Sequence, residues 1–337
     1  MYKFPLSKDI FQPTERTLIE SEEFKVTGFK YNSGVEAIKI ENSKGHLVIL
    51  PFMGQMIWDA FFIGEDLCME HMFSEPKMSN EIVGTYGCFA FHSGLIRNGC
   101  PSSQDDHPLH GEMPCAKMDN AWLEISEDVI TIKGQYEYVM GFGDHYLATP
   151  SIRLEAQSSL FDICMQVQNL ASVVMPLQYM CHMNTAYFAN AQMTQNVPDD
   201  VIKLRETVPG HVKPTSKWLD FNESLKIQNR PIQTLSTPEM YDPEIVYFAD
   251  ELSLYTDKAE FEMKIDNGKK LVTYFDTNQF NYATRWILFN GDQKVGAYVL
   301  PATCRPEGHL AAQNSGSLIY LKPKEIREFK VTTGIVA

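Results

Sequence analysis

Phe161-Asp162-Ile163-Cys164-Met165-Gln166-Val167 decides the fold class. Its apolar residues Phe161, Ile163, Met165 and Val167 recur every second position, which puts them on one face of a strand and scatters them around a helix. Just upstream, Ser151-Ile152-Arg153-Leu154-Glu155 and Val129-Ile130-Thr131-Ile132-Lys133 alternate in the same way. Further out, Ala37-Ile38-Lys39-Ile40-Glu41 and His46-Leu47-Val48-Ile49-Leu50 flank Asn42-Ser43-Lys44-Gly45, a turn-forming stretch that predicts a hairpin. Gly296-Ala297-Tyr298-Val299-Leu300, Ser317-Leu318-Ile319-Tyr320-Leu321 and Glu328-Phe329-Lys330-Val331-Thr332 repeat the pattern towards the C-terminus. Helical periodicity is nearly absent. Many short strands separated by turns specify an all-β sandwich or barrel rather than a βαβ fold.

Residues 198–250 interrupt this pattern with more proline and charge, and a short helix is expected at about 217–227. Because strand patterning resumes afterwards, the segment reads as an insertion on one rim of a single 1–337 domain, a length that large sandwiches reach. Apolar residues make up 44% of the chain and aromatic ones 12%, enough for a large core, and the richest apolar run, 46–52, is only strand-sized. Neither a membrane span nor a signal peptide is expected, so the sequence reads as cytoplasmic. Seven cysteines without a C-x-x-C pair argue for free thiols, with Cys164 and Cys181 expected in the core. A formal net charge of −14 disfavours nucleic acid and anionic membranes and leaves a neutral small molecule as the natural partner. A homodimer through an exposed apolar edge stays open.

The phosphate-cradling loop, the dinucleotide fingerprint, the nucleophile elbow and the zinc-protease helix are all missing. What stands out is the placement of histidines. The stretch His92-Ser93-Gly94-Leu95-Ile96-Arg97-Asn98-Gly99-Cys100-Pro101 runs on to Asp105-Asp106-His107-Pro108-Leu109-His110-Gly111-Glu112, dense in glycine and proline and therefore loop. His107, His110 and Glu112 suit a divalent metal by residue type, as a metal-dependent sugar isomerase would require. Equally, His110, His107 and Arg97 suit hydroxyl recognition, and a plain polar surface loop accounts for the same composition. Tyr179-Met180-Cys181-His182-Met183-Asn184-Thr185-Ala186-Tyr187-Phe188 places a histidine inside an apolar strand. Such a residue is commonly a hydrogen-bonded core group, but burial also brings its pKa under control, as general acid–base work needs. Leu300-Pro301-Ala302-Thr303-Cys304-Arg305-Pro306-Glu307-Gly308-His309 leaves a strand and puts Glu307 on a loop.

Taken in order, these stretches resemble the aldose 1-epimerase (galactose mutarotase-like) superfamily, in its less characterised "aldose 1-epimerase family protein" branch. Leu109-His110-Gly111 is similar to its Leu-His-Gly, and His182 with Asn184, Tyr187 and Phe188 to its second histidine region, 72 residues on. Asn120-Ala121-Trp122 and Ala283-Thr284-Arg285-Trp286 also have the superfamily's look. The resemblance covers the chain from about residue 35 onward. It implies a large antiparallel β-sandwich with the site on one sheet's concave face, and no cofactor. It implies aldose 1-epimerase activity by acid–base ring opening, with His182 as acid, His110, Arg97, His107, Asn184 and Arg285 as carbohydrate ligands, and Trp122 or Trp286 as a flat face for the ring. The superfamily's basic glutamate falls on Leu300. Glu307, seven residues further on, is the expected substitute base, with Asp199, Asp220 and Asp242 of the inserted segment behind it. Without a carboxylate opposite His182, the same fold would bind a sugar and not epimerise it.

Overall fold

The computed structural model describes residues 2–337. Its strands form two sheets, one of nine strands and one of thirteen, with antiparallel pairing throughout their paths. The nine-stranded sheet contains Val129–Val139, His145–Glu155, Leu160–Asn169 and Ile326–Val336 as consecutive neighbours. Alternate residues are buried along most of these strands, and Phe161, Ile163, Met165 and Val167 all point into the core between the sheets. Their partners on the outer face include Arg153 and Lys133, so the pleat separates apolar from charged residues as the alternation predicted. Burial of each such Phe, Ile, Met or Val contributes about 1.5–3 kcal/mol.

The larger sheet is covered on both faces, which explains why residues 46–52 read as a continuous apolar run. Ile38, Ile40, Leu47 and Ile49 face the inter-sheet core. Ala37, Val48, Leu50, Met56 and Trp58 build a second cluster on the opposite face, together with Phe91. The hairpin of Glu36–Asn42 and Gly45–Leu50 turns where expected: Asn42 Oδ1 accepts the amides of Lys44 and Gly45 at 2.9 and 3.1 Å. Gly45 is required there, because a Cβ would run into the Phe61 carbonyl of the adjoining strand.

Residues 198–250 contain the expected helix, at Ser216–Gln228, capped by Thr215, whose hydroxyl accepts the Trp218 amide. The segment does more than decorate a rim. Ile202–Leu204 and Ile245–Ala249 pair with each other, and the latter pairs with Tyr282–Phe289, so they extend the larger sheet to one of its edges. A short helix at His309–Ser315 follows the Glu307 loop. All seven cysteines are free; Cys181 is buried as expected, whereas Cys164 lies half-buried on the outer side of its strand. No helix among the described residues is long and apolar enough to cross a membrane.

Candidate functional site

Four neighbouring strands of the larger sheet, Ile245–Ala249, Tyr282–Phe289, Lys294–Ala302 and Met175–Met183, lie side by side. The two-residue pleat aims Val246, Thr284, Trp286, Leu300, Met180 and His182 at one opening, a cavity of about 390 Å³. That volume suits a small ligand. Rim loops contribute Tyr86, His110, Arg205 and Glu244. Among the wall residues, Thr284 has its Oγ1 buried without a hydrogen-bond partner in the protein.

His182 stands at the centre of an aromatic box. Its ring stacks on Phe91 at 4.4 Å, with an angle of 15° between the planes. His110 meets it edge-on at 4.7 Å and Trp286 at 5.7 Å. Tyr86 Oη lies 3.2 Å from His182 Nε2. Burial pushes the His182 pKa well below its ordinary value, and the neighbouring His110 adds to the fall while Asn184 opposes it. The free imidazole is therefore neutral at neutral pH.

His110 is placed by its loop. Its amide donates to the Gly99 carbonyl at 2.9 Å, and its own carbonyl accepts the Gly94 amide at 3.0 Å. The backbone at His110 is left-handed, with φ of 64°, a conformation that costs a non-glycine residue about 1 kcal/mol. Gly111 follows at φ 80°, where a Cβ would strike the Arg97 carbonyl, so glycine is sterically required at that position of the turn. Ser93 Oγ lies 3.1 Å from His110 Nδ1 and leaves Nε2 free to face the cavity. Burial, reinforced by His211 and His107, brings the His110 pKa down to about 3.

Glu244 is the carboxylate of the cavity wall, and it is absent from the candidates read from sequence. It sits directly before the Ile245–Ala249 strand, with 8% of its surface exposed. Trp286 Nε1–H donates to its Oε2 at 2.8 Å, and the Trp218 indole N–H donates to its backbone carbonyl at 2.7 Å. Burial raises its pKa, partly offset by the Arg205 guanidinium and the Trp286 hydrogen bond. The available signal was position: a lone glutamate between Pro243 and the apolar run Ile-Val-Tyr-Phe-Ala sits where a strand emerges from a loop.

The structure thus brings His110, His182 and Trp286 together, keeps Asn184 beside His182, and leaves Glu307, Arg97, His107 and Arg285 outside the cavity. Glu307 lines a separate, polar cleft of about 760 Å³. There its Oε1 accepts the Thr207 hydroxyl at 2.6 Å and faces Arg205 at 3.6 Å, while Oε2 faces Arg305 at 3.9 Å. Leu300 does face the cavity, so the strand position where the resemblance puts a base is apolar. Arg97 turns away from the cavity to donate to the Ile96 carbonyl at 3.1 Å, with Asp106 3.9 Å off. Arg285 lies on the opposite side of its strand from Trp286. It is fixed by the Tyr298 and Ile232 carbonyls and Gln195 Oε1, at 3.2, 2.9 and 3.0 Å, and is a core residue. Asn184 is buried beside His182, where it donates to the Cys88 carbonyl at 2.8 Å.

The metal-binding grouping does not form. Glu112 Oε1 accepts the Leu95 and Ile96 amides at 2.7 and 2.8 Å and the Tyr146 hydroxyl at 2.9 Å, which makes it a loop anchor. His107 Nδ1 pairs with the Pro108 carbonyl oxygen at 2.8 Å, and its Nε2 has no hydrogen-bond partner. Among the described residues, no group of three or more His, Cys, Asp or Glu side chains is arranged to hold a metal ion. The inserted aspartates also miss the cavity: Asp199 accepts Gln195 and Gln233, and Asp242 lies 3.5 Å from the Asn290 amide. Of the two tryptophans, Trp286 flanks the cavity, while Trp122 belongs to the other sheet under Lys3.

No protein-family profile matches the chain, and no curated protein matches it either. Solved structures do. A candidate aldose 1-epimerase from Klebsiella pneumoniae superposes with a TM-score of 0.80 at 14% identity, covering 99% of this chain and 91% of that one. A galactose mutarotase-like protein from Clostridium acetobutylicum gives 0.63 at 12% identity, covering 94% and 99%. A galactose mutarotase related enzyme from Lactobacillus acidophilus gives 0.59 at 12%, covering 89% and 97%. At such identities the likeness is one of fold, and the fold is the galactose mutarotase-like β-sandwich.

Proposed function

We propose that this chain is a carbohydrate mutarotase or related epimerase, acting on a neutral aldose by acid–base ring opening. The observation that carries the reading is the convergence of His110 and His182, rings 4.7 Å apart, in one cavity walled by Trp286. An aldopyranose needs hydroxyl ligands, a flat apolar surface for its C–H face, and groups that exchange protons with the ring oxygen and the anomeric hydroxyl. His110 and Thr284 supply the first, Trp286 the second, and His182 is the proton donor to the ring oxygen. A neutral sugar fits because Arg205 is the cavity's guanidinium and already faces Glu307. The structural neighbours, named for epimerases and mutarotases, support the same class.

A second reading, sugar binding without catalysis, is favoured by one feature: Leu300 faces the cavity and Glu307 does not. Relaxation of freshly dissolved α-anomers, followed by polarimetry across several aldoses and deoxyaldoses, separates the two. Acceleration by the wild-type protein that collapses in His182→Ala supports catalysis. Binding of an aldose, seen as quenching of tryptophan fluorescence, without acceleration supports the second reading.

A further inference from the structure

We infer that Glu244 is the catalytic carboxylate of this site, taking over from a different strand the position that Leu300 leaves apolar. The inference rests on the epimerase reading above, and it is carried by geometry. Glu244, at the entry to the Ile245–Ala249 strand, and Leu300 line the same cavity, and their strands are separated by Tyr282–Phe289 alone. Trp286, on that intervening strand, touches both reacting partners: its indole N–H holds Glu244 Oε2 at 2.8 Å, and its ring meets the His182 ring at 5.7 Å. The sugar's apolar face against Trp286 would have the carboxylate at one edge and the imidazole at the other. One Glu244 oxygen is held by Trp286, and that bond fixes the carboxyl plane while the other oxygen stays available.

The step balances within the pair. Glu244 takes the proton of the anomeric hydroxyl as C1–O1 becomes a double bond. The C1–O5 electron pair passes to O5, which receives a proton from His182. Rotation about C1–C2 and the reverse sequence give the other anomer and restore the pair. Ring opening therefore requires one proton shared between Glu244 and His182, and the count is the same whichever of them carries it at rest. Burial raises the Glu244 pKa and lowers that of His182, which brings the two groups' proton affinities closer together.

The groups facing this pair are Arg205, Tyr86 and Cys100 around Glu244, and His110, Tyr86 and Asn184 around His182, with His211 at the cavity mouth. As pH rises through the raised Glu244 pKa, the shared proton is lost and the rate falls.

The test is kcat and KM against pH for wild type and Glu244→Gln, using the aldose that wild type accelerates most. We expect kcat to drop about 10²–10⁴-fold, KM to change less than about threefold, and the alkaline limb to vanish from the residual rate. The amide keeps the Trp286 acceptor, so the fold is expected to hold. If it does not, Glu244→Asp retains the limb with a rate reduced about tenfold. A Glu244→Gln kcat within about threefold of wild type overturns the inference, as does a fall accompanied by lost sugar binding and an unchanged limb. Absence of acceleration by wild type towards every aldose overturns the epimerase reading, and Glu244's role with it.

Discussion

The cavity over His182 and the cleft around Glu307 open close together, with Arg205 lining the first and facing Glu307 in the second. The cleft is the larger, at about 760 against 390 Å³, and it carries lysines, arginines and two glutamates. Its charged groups are solvated or already paired: Glu307 with Thr207, Arg205 and Arg305, and Arg305 with Asp250. The smaller cavity holds one carboxylate and one guanidinium, Glu244 and Arg205, but burial has moved Glu244 up and His182 and His110 down. Desolvation moves a carboxyl up and an imidazole down, and so narrows the gap across which a proton must pass between them. On the function proposed above, size and charge count are poor guides to which opening is the site.

The largest effect that would break this comparison is expected at His182. His182→Ala should lower kcat about 10²–10⁴-fold, measured by anomer relaxation on protein that circular dichroism shows to be folded, with some loss of melting temperature from the ring removed beside Phe91.

Stability should also register the difference, through the same buried imidazoles. His110 titrates at about 3 when folded and near 6.5 when unfolded. A depressed folded pKa means its contribution is complete above 6.5 and is lost as pH falls towards 3. For His110 alone the loss at pH 5 is about 2 kcal/mol. Urea unfolding of wild type and His110→Gln at pH 7 and 5 should show the variant losing less stability on acidification.

Arg205→Gln sharpens the comparison from the shared wall. Removing the guanidinium that lowers the Glu244 pKa should move the alkaline limb of the rate profile to higher pH. The smallest effect belongs to the polar cleft: Glu307→Gln should leave kcat within about twofold of wild type, since its carboxylate is held outside the cavity.

The strands were legible because one face of the nine-stranded sheet meets solvent, so Phe161, Ile163, Met165 and Val167 alternate with polar neighbours. His110 and His182 were legible through local motifs, a His-Gly turn and a histidine within an apolar strand. Glu307 misled for a related reason. It is close in sequence to Leu300, but its backbone pairs with Gly99 across the loop, which turns its side chain to the far side of Arg205. Arg285 and Trp286 show the limit of a motif: neighbours in a strand point to opposite faces, so only one of them can reach the cavity. Glu244 could not be found by spacing. Its partnership with His182 depends on Ile245–Ala249 joining the sheet two strands from Leu300, a contact fixed by topology rather than by sequence proximity.

The most direct test of the account is saturation-transfer NMR of aldoses and deoxyaldoses at anomeric equilibrium, with protein and chelator present. The account predicts protein-dependent exchange between the α and β anomeric signals of at least one sugar, lost in His182→Ala. Exchange equal to the buffer rate for every sugar, or exchange unchanged in His182→Ala, would contradict it.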